Sequence, residues 1–149
     1  MSTKLLCRIT EGMLILLALF VVFCLVLFYI PGSRWGAVLA SYWEGSVASL
    51  KVFLTLAAAF ALWILLELFL VFRTVTGDPF LERNVKAFLR MGTAAELAGL
   101  LFVGRCFLRF TPMTAVCAIV MLLAGMFALV LAAVFRRAVA YKAENDLTI

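Results

Sequence analysis

The chain has 149 residues, 67% hydrophobic and 14% charged, with a mean hydropathy of +1.20 and a net charge of +5. Soluble domains carry about 45–50% apolar and about 25% charged residues, and a water-facing body of this size cannot hide the difference. A soluble enzyme, a DNA-binding domain and a disordered regulator are thereby excluded, and an integral membrane protein remains.

A helix needs roughly 20 apolar residues, at about 1.5 Å each, to cross a ~30 Å hydrocarbon core. The first such run, Gly12 to Ile30, holds 19 residues without a charge and ends at Pro31-Gly32. Lys4 and Arg8 before it resemble the basic flank of a signal peptide. The run exceeds the usual ~7–15 residues and no small-x-small cleavage site follows, so it is expected to remain as a span. The second span, over about residues 50–72, contains the 21-residue run Val52 to Phe72, in which Glu67 is the one charge. The third, over about residues 91–109, is the weakest, because Met91 to Leu108 carries Glu96 and Arg105. The fourth, Met113 to Phe135, has 23 residues and no charge. These runs are continuous rather than alternating, which excludes barrel strands. Backbone polar groups find no water in lipid, so helices are required. The expected fold is all-α: one membrane domain, residues 1–149, forming a four-helix bundle of transmembrane helices.

The loop 73–90 between spans two and three carries a further pattern. Asp78 suits a helix N-cap and Pro79 the first helical position. Phe80, Leu81, Val85, Phe88 and Leu89 fall on one face, with Glu82, Arg83, Lys86 and Arg90 largely on the other. This predicts an amphipathic helix lying on the membrane surface, which is also a candidate docking surface. The tail, residues 136–149, is expected to continue as helix through Ala143 and to break at Asn145 and Asp146. Leu147-Thr148-Ile149 then has strand character and can join a partner's sheet edge or groove, or simply fray.

Lys and Arg near the span ends set orientation. Lys4, Arg8, Arg73, Arg83, Lys86, Arg90, Arg136, Arg137 and Lys142 make nine on one side, against Arg34, Lys51, Arg105 and Arg109, four on the other. The bias places both termini and the middle loop in the cytoplasm, and Tyr29, Trp35, Tyr42 and Trp43 at the outer interface. Attraction to anionic headgroups accounts for the net charge. No basic stripe interleaved with aromatics points to direct nucleic-acid binding.

The chain has no histidine, which removes His-Cys zinc sites, bis-histidine haem, the Ser-His-Asp triad and H-E-x-x-H chemistry together. Cys7, Cys24, Cys106 and Cys117 show no C-x-x-C spacing, and three lie in or beside spans as small hydrophobes. Cys7, beside the membrane on the reducing side, has at most the position of an acylation site. There is no Gly-rich phosphate loop. No catalytic, cofactor or metal residue is predicted, and an enzyme is not expected.

Two intramembrane carboxylates remain. Glu67 lies six residues before Arg73 and Glu96 six after Arg90, so both sit roughly 9 Å below the same surface. Antiparallel neighbours would let them face each other and share a proton or hold a cation. Each costs about 2.5–3.5 kcal/mol to insert on translocon scales. The plainer alternative is a bond to a neighbouring helix or snorkelling to the interface, as expected for Arg105 and Arg109. Small-residue rows, Ala124-Ala128-Ala132 with Gly125, Ala95-Gly99 and Ala57-Ala61, allow close helix approach within the bundle or in a homo-oligomer.

Gly77-Asp78-Pro79-Phe80, followed by Asn84-Val85 and a basic amphipathic stretch, looks like the middle loop of a bacterial membrane family. The ending Glu144-Asn145-Asp146-Leu147-Thr148-Ile149 is similar to that family's terminal signature. On these segments and the four spans, the whole chain resembles the family known as domain of unknown function 2975. The resemblance implies a protein of the bacterial cytoplasmic membrane with no assigned reaction. Genes of that family often stand beside one for a small helix-turn-helix regulator, which implies a membrane partner of a transcription factor. The expectation is thus a regulatory or scaffold protein, with Asp78, Pro79, Phe80, Asn84 and Glu144 to Ile149 as docking residues. The alternative is a small proton- or cation-linked transporter or channel subunit using Glu67 and Glu96. A structural accessory subunit is a third reading.

Overall fold

A computed structural model describes residues 3–43, 45–75 and 82–147, nearly all of them helical. The elements are α1 (Thr3–Tyr29), α2 (Arg34–Trp43), α3 (Val47–Val75), α4 (Glu82–Leu108) and α5 (Pro112–Leu147). All but the ten-residue α2 are long and apolar enough to cross a membrane. The expected all-α class with four spans is what is found, and the chain is a multi-pass membrane protein.

Local chemistry sets the boundaries. α1 stops ahead of Pro31, and Gly32 then turns the chain at φ 77°, a region that a residue without Cβ enters freely. Ser33 caps α2 by accepting from the Gly36 N–H at 3.0 Å, and Ser46 caps α3 by accepting from the Ser49 N–H at 3.2 Å. Pro112 opens α5, where its missing N–H has no helical partner to lose. An element without a counterpart among the expected ones is α2, a short helix with no buried residue between the first two spans.

Two expected boundaries move. Residues 82–90 are helical, but α4 runs unbroken from Glu82 to Leu108, so this amphipathic stretch is the first turns of the third spanning helix and not a separate surface helix. No proline interrupts it, and Gly92 costs only about 1 kcal/mol, offset by its packing against α5. The expected cap, Asp78 with Pro79 and Phe80, lies outside the described residues. Likewise Asn145 and Asp146 do not break α5, which continues to Leu147. Each disfavours helix by only about 0.7 kcal/mol against alanine. No extended strand forms up to Leu147, and Thr148 and Ile149 lie outside the described residues.

The helices pack in sequence order. α4 lies most extensively on α5, then α3 on α4, then α1 on α3; among the described residues the backbones of α1 and α5 stay apart. The bundle is therefore an open row, α1–α3–α4–α5. Its tight end is a glycine seam. A Cβ on Gly99 would stand 2.7 Å from a Leu122 methyl and 3.2 Å from the Leu122 backbone nitrogen; one on Gly92 would meet Leu129 at 2.8 Å and the Gly125 carbonyl at 3.2 Å. Ala94, Ala95 and Ala98 on α4, and Ala118, Ala128 and Ala132 on α5, are buried with them.

The rows Ala95-Gly99 and Gly125-Ala128-Ala132 are thus used inside the chain. Ala124, expected in the same row, is exposed. Residues four apart drift by about 40° around a helix, which carries Ala124 off the face that Ala132 occupies. At the loose end, α1 has about two thirds of its described side chains exposed, and only Cys7 and Phe28 among them are buried. A cavity of about 370 Å³ separates Phe20, Cys24 and Phe28 of α1 from the half-buried Ala57 and Ala61 of α3.

Candidate functional site

The end of α3, the start of α4 and the end of α5 meet at one end of the molecule, with Arg73, Arg83, Lys86, Arg90, Arg136 and Arg137 around it. Its organising residue is Asn84, 1% exposed. The Thr74 hydroxyl donates to Asn84 Oδ1 at 2.6 Å, its single proton shared with the Val71 carbonyl at 2.8 Å. This contact closes α3 onto α4 just before the chain leaves one and after it enters the other. Asn84, expected on a docking surface, is a buried joint. A polar side chain this deep is retained by its hydrogen bonds and is not accessible to a partner.

One turn and a half further along α4, Arg90 Nη1 donates to Glu67 Oε1 at 3.2 Å. Glu67 is 4% exposed, so this cation is what compensates its burial. The pair borders a polar cavity of about 130 Å³ with Arg83, Asn84, Ala87 and Leu70. A cavity of that size holds a few waters, each needing two or more polar partners.

Glu96 belongs to a different interface. Its Oε1 would stand 2.8 Å from a Cβ on Gly125 of α5, and it is buried without a hydrogen-bond partner among the described residues. Glu67 and Glu96, expected to face each other, therefore serve α3–α4 and α4–α5 respectively. Spacing along the chain does not fix azimuth: the six residues from Arg90 to Glu96 turn the helix by about 240°, so with Arg90 directed at Glu67 of α3, Glu96 is carried to another side of α4.

Toward the start of α4 and the end of α5, past the most apolar stretches, the two helices continue side by side. Phe88 and Phe135 stack with ring centroids 5.3 Å apart. Past them lies a groove of about 290 Å³, with Val85, Val139 and Ala143 as its apolar lining and Glu82, Lys86 and Arg136 as its charged rim. A groove of this composition receives an apolar side chain and orients what carries it by charge. Glu144 and Asn145 are exposed on the last turns of α5, where Asp146 and Leu147 also lie, at the same end as the groove.

The opposite end holds a cluster that the sequence pattern does not predict. Arg105 does not extend to water: its guanidinium carbon lies 3.9 Å from the Trp43 ring centroid, and Nη2 donates to the Trp43 carbonyl at 3.2 Å. Trp43 Nε1 donates to Ser49 Oγ at 2.9 Å, and Phe53 bridges Trp43 to Phe102 at 5.2 and 5.3 Å. An arginine and a tryptophan at one depth were the available signal, but they are far apart in sequence and only the α2 turn joins them.

Among the described residues no three His, Cys, Asp or Glu side chains gather at a metal-binding distance. No family model, curated protein or solved structure matches the chain.

Proposed function

We propose that the protein is a regulatory or scaffold component of a bacterial cytoplasmic membrane, with both termini in the cytoplasm, holding a helix-turn-helix transcription regulator at the paired ends of α4 and α5. The observation that carries this reading is the groove between those helices, built where Glu82, Lys86 and Arg136 interrupt the apolar sequence of both. The resemblance of the 77–85 segment and the tail to domain of unknown function 2975 supplies the class of partner, and the nine-to-four bias of basic residues supplies the side.

Two changes test it. Lys86→Glu with Arg136→Glu reverses the groove rim, and removal of residues 144–149 shortens α5. Tagged protein is purified in mild detergent and the proteins that accompany it are identified by mass spectrometry. A helix-turn-helix protein is expected with the parent chain and not with either variant, while both variants still fractionate with membranes. Unchanged recovery with both variants removes the reading.

A second reading, proton- or cation-linked transport through Glu67 and Glu96, is favoured by the buried, unpartnered Glu96 Oε1. Flux measured in liposomes tests it. Loss of flux in Glu96→Gln with the regulator still bound would support transport over scaffolding.

A further inference from the structure

Between α3 and α4, at the α2 end, lies a groove of about 970 Å³ that the proposed function does not use. Val52, Leu56, Leu100 and Leu108 form its apolar wall, and all four are exposed. Exposed apolar side chains on spanning helices face hydrocarbon, so the groove opens sideways into the bilayer. From Leu100 to Leu108 its wall runs about 12 Å along α4. Arg105 and Arg109 stand at its interfacial end.

The arrangement of Arg105 is unlike that of an arginine reaching for water. The Trp43 ring covers one face of its guanidinium and the Trp43 carbonyl takes Nη2, while Nε is buried without an acceptor among the described residues. A guanidinium has five N–H donors in a fixed plane, so the contact with Trp43 orients a planar donor set beside the groove.

Gly104 adds an independent observation. Gly92, Gly99 and Gly125 are explained by helices pressed against them, but a Cβ on Gly104 would meet nothing within 4 Å. Glycine weakens a helix, and no close helix approach accounts for it here. What the missing side chain leaves is room in the groove next to Arg105.

We propose that this groove binds an anionic phospholipid of the surrounding bilayer, one acyl chain along the apolar wall and the phosphate at Arg105 and Arg109. Phosphate oxygens accept in-plane pairs of hydrogen bonds from arginine, and a small movement of the side chain would give Arg105 Nε the acceptor it lacks. A zwitterionic lipid offers the same phosphate but brings its own cation toward two arginines, so net negative charge is selected. This inference is independent of the regulator and of the side on which it docks.

The test uses the full chain in mild detergent, with Trp35→Phe and Trp63→Phe so that Trp43 alone reports. It is titrated with phosphatidylglycerol or phosphatidylcholine brominated in the acyl chains, and tryptophan quenching is read. Half-quenching is expected at about tenfold lower concentration of phosphatidylglycerol. That preference should vanish in Arg105→Gln/Arg109→Gln, and quenching by either lipid should fall in Gly104→Leu, which fills the groove where a Cβ has space. Arg109→Gln alone, at an exposed position, guards against a fold lost with Arg105 and should narrow the preference. Equal quenching by the two lipids in the parent protein would overturn the proposal. So would a preference that survives the arginine changes, or quenching untouched by Gly104→Leu. Displacement of phosphatidylglycerol by millimolar inorganic phosphate would assign the arginines to a free anion and reject the lipid.

Discussion

The α4–α5 pair and the α1–α3 pair are both apolar helix pairs, yet they pack in opposite ways. α4 and α5 approach until a single added methyl at Gly99 collides with Leu122. α1 and α3 leave a cavity of about 370 Å³ between them, and most of α1 faces outward. Greater hydrophobicity does not bring closer packing, since α4, the least apolar of the four spans, belongs to the tight pair. Lipid solvates leucine as well as another helix does, so association depends on small residues that bring backbones together and on the few polar contacts between helices. α4 and α5 have the glycines and alanines; α1 presents mainly Leu, Val and Phe.

That contrast can be broken where it is strongest. Gly99→Leu should force α4 from α5 and destabilise the protein by about 3 kcal/mol, read as a fall in the thermal midpoint in detergent. A midpoint unchanged by this variant would mean that the seam is not the centre of stability. Next in size is the polar clamp between α3 and α4. Removing one partner of a buried pair costs about 3–5 kcal/mol, but Arg90 is 54% exposed, so Arg90→Ala should cost only about 1–2 kcal/mol. Adding Glu67→Gln to it should recover part of that loss in the same melting assay, because no carboxylate is then left stranded.

Smaller effects are expected where the packing is loose. Ala61→Leu projects into the cavity beside α1 and should leave stability unchanged or raise it by about 0.5–1 kcal/mol. A large loss would show that the cavity closes in the membrane. Gly104→Ala, with nothing near its new methyl, should stabilise α4 by up to about 1 kcal/mol, the opposite sign to Gly99→Leu on the same helix.

How much of this was legible in the sequence follows from what each signal measures. Continuous apolar runs report solvent, and the four spans were found because lipid demands length and apolarity and little else. Phase is a weaker signal when nearly every face is apolar. The alanine row at 124, 128 and 132 reads as one stripe, but its first member has rotated away from the seam that its last member shares. Residue spacing along the chain carries no azimuth, so two carboxylates expected at one level are also expected together, although they serve different neighbours. α2 escaped notice because ten residues are too few for periodicity, and its Ser33 cap follows a Pro-Gly pair that reads simply as a turn. Asn84 is expected on a docking surface only through the family resemblance; that it is buried instead follows from its contact with Thr74, ten residues earlier.

α5 is 36 residues long, about 54 Å, and has no proline beyond its first position and no glycine after Gly125. It is a stiff lever with its fulcrum in the bilayer. Spanning helices tilt by about 20° to match the thickness of the membrane around them. Over the roughly 18 Å that extends past Phe135, such a tilt displaces the tip sideways by about 6 Å, comparable to the width of a side-chain pocket. Whatever rests against that tip is therefore mechanically coupled to the thickness of the lipid.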